Sequence, residues 1–133
     1  MSAFENVLKL VRAWPCEPLP TELKYRDSLI AYLRENLPKA KIEREFRHLG
    51  TTTDVYVREE GFFGKSEVFL ELKRNLLTKS VLDRLVGQIE LLEPKEHPIL
   101  VVLCGEIDPA LLGRLRQDSD TRFQSQESIW RIA

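Results

Sequence analysis

One group of residues in this chain of 133 could do chemistry: Asp54 and, after the stretch 55–70, the tripeptide Glu71-Leu72-Lys73. Two carboxylates brought to one place form a hard-oxygen site suited to Mg²⁺ or Mn²⁺, whose remaining positions are filled by water and substrate phosphate. A metal held there lowers the pKa of its bound water. An ammonium beside it orients that water and stabilises charge developing on phosphoryl oxygens. Asp54, Glu71 and Lys73 are therefore of the types that phosphodiester hydrolysis requires.

The tripeptide alone discriminates nothing, because Glu-x-Lys recurs at Glu22-Leu23-Lys24 and Glu93-Pro94-Lys95. Local structure separates the copies. Residues two apart on a helix diverge by about 200°, whereas on a strand they project from one face. Only the copy at 71–73 lies in β-forming sequence, Glu67-Val-Phe-Leu-Glu-Leu-Lys73. There Glu71 and Lys73 share a face with Phe69, while Val68, Leu70 and Leu72 fill the other. A preceding strand paired antiparallel brings Asp54 alongside. The competing account is a solvated Asp54 at a strand start and a salt bridge between Glu71 and Lys73 on an exposed face. Each residue alone fits that account; the combination favours a site.

The surrounding sequence supplies the elements that must position these residues. Ser2 and Glu5 have capping-box spacing, and Phe4, Val7, Leu8 and Val11 recur at helical intervals up to Pro15. Residues 15–20 read as an extended connector. Thr21 caps a second helix to about Asn36, with Tyr25, Leu29, Tyr32, Leu33 and Leu37 on its apolar face. Ile42, Arg44 and Phe46 alternate with Glu43, Glu45 and Arg47, and 54–58 alternates again after a turn near Gly50, so two strands precede the one ending at Lys73. Gly61 to Gly64 marks the turn between the second and third strands.

From Thr78 or Ser80 to Glu93, Leu82, Leu85, Val86, Ile89 and Leu92 form a helical stripe that Pro94 ends. Ile99 to Cys104 is a continuous apolar run, as expected of a strand covered on both faces in the middle of a sheet. Asp108-Pro109 opens another helix through Leu111, Leu112 and Leu115, giving way to polar residues 117–121, and 128–132 adds a final strand. The order ααβββαβαβ predicts an α/β fold with a mixed sheet in a single domain spanning 1–133.

Composition narrows the function classes. With 43% hydrophobic and 31% charged residues, the chain has the balance of a globular domain and not of a disordered one. No apolar run approaches the roughly 20 residues that cross a bilayer. The start, Met1 to Asn6, has no secretory pattern, which sets a cytoplasmic expectation. Lys and Arg number 20 against 21 Asp and Glu, so no global basic field is present and any nucleic-acid contact must be local. Cys16, Cys104, His48 and His97 stand at no metal-ligand spacing and receive no chemistry. Trp14 and Trp130 read as core or interface residues.

Asp54 and Glu71-Leu72-Lys73, set between an upstream helix and a downstream helix-strand unit, resemble the PD-(D/E)XK nuclease superfamily over residues 21–104. The resemblance implies a restriction-endonuclease-like αβββαβ core, here with an extra N-terminal helix and a C-terminal helix-strand extension. It implies a nuclease dependent on Mg²⁺ or Mn²⁺ and acting on DNA, with Asp54, Glu71 and the Leu72 carbonyl on the metal and Lys73 assisting the water. Thr53 stands where the motif's name has Pro. Gln88, on the next helix, is similar to the helix glutamine of the RecB-like branch and is assigned to substrate positioning; Leu92 replaces that branch's tyrosine. The superfamily's further acid falls on Glu22 in the first core helix, with Glu43 or Glu45 as alternatives. Lys65, Arg74, Lys79 and Arg84 flank the site in sequence as candidate phosphate contacts. With little beyond the core, target choice is expected from a homodimer, a partner protein or substrate shape. The alternative function is a catalytically inactive nuclease-fold interaction domain in a nucleic-acid-processing or defence complex.

Overall fold

The computed structural model describes residues 2–48, 51–61, 64–92, 98–122 and 129–131. Nine elements follow in the expected order: α1 (Ala3–Ala13), α2 (Glu22–Asn36), β1 (Lys41–His48), β2 (Thr51–Gly61), β3 (Gly64–Leu76), α3 (Lys79–Leu92), β4 (Ile99–Ile107), α4 (Pro109–Arg122) and β5 (Ile129–Arg131). The fold is α/β, with helices on both faces of a mixed sheet, consistent with a restriction-endonuclease-like core. Polar residues start the helices as anticipated. Ser2 Oγ accepts the Glu5 N–H at 3.2 Å, Thr21 Oγ1 that of Lys24 at 3.2 Å, and Asp108 Oδ1 that of Ala110 at 2.8 Å. For α3 the choice falls on Thr78, whose Oγ1 accepts the Val81 N–H.

The strands lie in the order β1-β2-β3-β4-β5, antiparallel from β1 to β3 and parallel from β3 to β5. Val55, Val57, Val68, Leu70, Leu72, Leu100 and Val102 pack beneath α1 and α2. Tyr56, Phe69, Val101 and Leu103 pack against α3 and α4 on the opposite face. The face assignment of β3 therefore holds: Phe69 looks toward α3, and Val68, Leu70 and Leu72 look away from it. Trp14 is a core residue, its ring stacked on Tyr32 at 6.4 Å.

Four sequence expectations need correction. β4 lies between β3 and β5, one place from the centre, which β3 occupies. Both β2 and β3 run beyond the stretches in which alternation is visible, because their hairpin continues to Gly61 and Gly64. The polar residues 117–121 continue α4 instead of ending it. Phe46 does not share a face with Ile42: Ile42 packs under α2, while the Phe46 ring stacks on Tyr56 at 3.9 Å on the α3 side. Glu45, at φ +51°, breaks the alternation between them. The Gly50 turn and His97 lie outside the described residues, as do the side chains of His48, Leu92 and Trp130.

At their C-terminal ends β3 and β4 meet in an irregularity. The parallel register shifts between Arg74 and Leu76, Asn75 takes φ +61° and Gly105 takes φ +73°. Asn75 Oδ1 accepts the Glu106 N–H at 2.9 Å, locking the two strand ends together. A Cβ on Gly105 would overlap Asn75 Oδ1 and press on Arg74 Cγ. Gly105→Ala is therefore expected to destabilise the protein by about 1–3 kcal/mol, measured by denaturant unfolding. An unchanged midpoint would show that the bulge is free to relax.

Candidate active site

The site forms where β2 and β3 part. Their pairing is regular from the hairpin to Val55 opposite Leu70, after which β2 continues alongside β1 and leaves β3. In a strand, the N–H and C=O of one residue point to the same side and successive residues alternate. The Phe69 N–H is given to Pro98 O at 2.9 Å, toward β4, so the even residues Leu70, Leu72 and Arg74 present their backbone groups toward the departed β2. These groups require partners. Thr53 Oγ1 donates to Leu70 O at 3.1 Å, Asp54 Oδ2 accepts the Leu72 N–H at 2.8 Å, and Glu22 Oε1 accepts the Arg74 N–H at 3.1 Å. Two acids from distant parts of the chain thus converge on one opened strand edge because that edge offers amides. The Leu72 carbonyl points to the same side.

Glu71 projects at right angles to this edge, toward α3. It is 4% exposed, and its Oε1 is buried with no hydrogen-bond partner. Burial, and next the charge of Asp54, push its carboxyl up to about 9. Lys73 follows on the same face, half-buried, and no ion pair joins it to Glu71 or to any other described residue. The salt-bridge account of Glu71 and Lys73 therefore does not describe the molecule.

α3 closes the far wall. Gln88 Nε2 donates to the Thr52 carbonyl at 2.8 Å, tying the helix to β2 two residues before Asp54. The resulting cleft, about 340 Å³, is lined by Glu22, Thr52, Asp54, Glu71, Leu72, Lys73, Arg84, Leu85 and Gln88. Seven of the residues singled out in the sequence meet here. Among the described residues no three His, Cys, Asp or Glu side chains form a ready cation cage. The donors that converge are Asp54, Glu71 and the edge carbonyl of Leu72.

Others lie elsewhere. Arg74 faces away from Lys73, and its Nε donates to Leu19 O at 3.2 Å. Lys79 is exposed in the first turn of α3 and does not line the cleft. Lys65 pairs opposite Glu60 near the hairpin end, six residues and therefore about 20 Å along β3 from Glu71. Glu45 pairs with Arg26 at 2.8 Å and Glu43 with Lys41 at 3.4 Å; neither lines the cleft. Glu22 is the alternative that does. Cys104 is buried, which pushes its thiol up to about 12, so it holds no reactive thiolate near neutral pH.

Sequence reasoning missed Thr52, whose carbonyl anchors Gln88, and the work of the Thr53 hydroxyl. A signal for Thr53 was present. Alternation with Val55 and Val57 places it on the buried face, where a hydroxyl needs an acceptor.

No protein-family model matches this chain, and no curated protein does. Among solved structures it is similar to SfsA of Pyrococcus furiosus in complex with Ca²⁺, with 14% sequence identity and a TM-score of 0.47. That alignment covers 82% of this chain and 55% of SfsA, so the chain spans about half the length of that protein.

Proposed function

We propose that this chain is a divalent-metal-dependent phosphodiesterase acting on nucleic acid, a nuclease of the PD-(D/E)XK type with DNA as its expected substrate. The observation that carries this is Glu71: a carboxyl group 4% exposed, with one unpartnered oxygen, beside Asp54 and without a paired counter-charge among the described residues. Burying a carboxylate that way is costly unless a cation completes the site. Asp54, Glu71 and the Leu72 carbonyl would hold Mg²⁺ or Mn²⁺, leaving positions for water and a phosphate oxygen. When bound, the ion supplies a water of lowered pKa and polarises the phosphoryl group.

The chain's own residues do the remainder. Asp54, fixed by the Leu72 N–H, holds one wall of the site rigidly against β3. Lys73 presents an unpaired ammonium to the attacking water and to charge growing on the phosphate. Gln88 holds α3 against β2, so that Arg84 reaches the cleft as a phosphate contact. Glu22 borders the opening with its carboxylate on the Arg74 amide, available to orient a water. A second copy of the chain or a partner protein would supply target choice.

The test is incubation with Mg²⁺ or Mn²⁺ and linear, circular, single-stranded and branched DNA and RNA, beside a folded Asp54→Ala control, with cation binding followed by calorimetry. Metal-dependent cleavage that the control lacks is the expected result. Absence of both cleavage and cation binding would overturn the proposal and favour a nuclease-fold interaction domain without catalysis.

A further inference from the structure

The hydrolytic reading leaves a second cavity unused. Lys73 and Arg74 are strand neighbours and project to opposite faces. Lys73 lines the carboxylate cleft, while Arg74 lines a pocket of about 360 Å³ with Pro18, Leu19, Tyr25 and Gly105 in its walls. The two spaces share a partition, because Glu22 lines the first and its Oε1 accepts the backbone N–H of Arg74. Arg74 gives its Nε to Leu19 O, and its Nη groups have no protein partner among the described residues. Glu106 stands at the exposed rim. The two left-handed residues Asn75 and Gly105 border the same pocket. Bulges of this kind re-aim neighbouring side chains, and such backbone gathers at binding sites.

A guanidinium with free Nη groups facing an apolar wall suits a ligand that is anionic at one point and apolar and flat at another. A nucleotide is such a ligand, with phosphate on the guanidinium and base on the wall. A continuous duplex keeps its bases stacked and cannot offer one, whereas an unpaired nucleotide can. We propose that the Arg74 pocket takes the unpaired nucleotide adjoining the bond held in the Asp54 and Glu71 cleft, so that the substrate is single-stranded nucleic acid in preference to continuous duplex. This rests on the hydrolytic reading only for the bond that is cut; binding in the pocket needs no metal.

The experiment measures affinity in EDTA, where nothing is cleaved, with a short labelled single-stranded DNA and the same strand annealed as a blunt duplex. Arg74→Gln removes the charge and the bond to Leu19, while Arg74→Lys keeps the charge and loses the bond. The wild type is expected to prefer the single strand, Arg74→Gln to weaken that binding roughly tenfold with little effect on duplex, and Arg74→Lys to restore most of it. Equal wild-type affinity for strand and duplex, an Arg74→Gln variant binding like wild type, or no rescue by Arg74→Lys would each overturn the proposal. Strand binding that depends on Arg74 in a protein that cleaves nothing would remove the hydrolysis and leave the subsite. Metal-dependent cleavage unaffected by Arg74→Gln on every substrate would do the reverse.

Discussion

Lys73→Met is expected to lower metal-dependent hydrolysis roughly 100- to 1000-fold at saturating metal, the size of effect seen when a group that stabilises transition-state charge is removed. Cation affinity should hold or tighten, because the substitution removes a positive charge beside Asp54 and Glu71. Stability should change little, since Lys73 has no ion-pair partner among the described residues to lose. This combination separates catalysis from structure. A salt-bridging lysine would give the opposite pattern, with a lowered unfolding midpoint and no specific loss of rate. Initial rates across a metal titration, beside thermal unfolding of the same samples, check it. Cleavage at the wild-type rate would remove Lys73 from the chemistry.

That Lys73 and Glu71 face one location was legible in the sequence because a strand has a period of two and β3 keeps it through the segment Val68 to Lys73. The same rule separated this Glu-x-Lys from the copy on α2. It failed on β1, where one residue at positive φ turns Phe46 to the other face; no local pattern announces that Glu45 will adopt it. It also limits what sequence adjacency can say about the phosphate contacts. Arg74 follows Lys73 and therefore points away from it, and Lys65 is separated from Glu71 by the rise of six extended residues. Arg84, further along the chain, returns to the cleft because α3 packs back over the sheet.

The convergence of Asp54 and Glu22 was harder to foresee. Spacing made their arrival possible, but its cause is the parting of β2 from β3, which leaves the amides of Leu72 and Arg74 to be taken by side chains. That parting is a property of how β2 follows β1, and no pattern within β3 encodes it. Glu22 lies in the first turn of α2, where the helix dipole favours an acid in any case. Its Oε1 also reaches across to β3, so the same residue serves the helix terminus and the wall of the cleft.

Glu71→Gln should stabilise the protein and disable it together. An ordinary glutamate titrates near 4.5, and Glu71 in the folded protein is pushed up to about 9 by burial and then by Asp54. Between those values the unfolded chain has lost the proton that the folded protein keeps, so folding takes up a proton and stability falls as pH rises from about 4.5 to about 9. Below that window the penalty is absent; above it, the penalty is complete. Glutamine has nearly the same shape and no charge, so in EDTA at about pH 8 the variant should be more stable by about 1–3 kcal/mol and lose most of the pH slope. Adding Mn²⁺ should raise the unfolding midpoint of the wild type and not that of the variant, because a ligand stabilises only the state that binds it. The wild-type response should also strengthen with pH, as the cation must displace the proton on Glu71. Thermal unfolding across pH, with EDTA and with Mn²⁺, reads all of these. A variant less stable than wild type in EDTA would mean that the Glu71 carboxyl finds a stabilising partner within the protein. A variant still stabilised by Mn²⁺ would place the cation elsewhere.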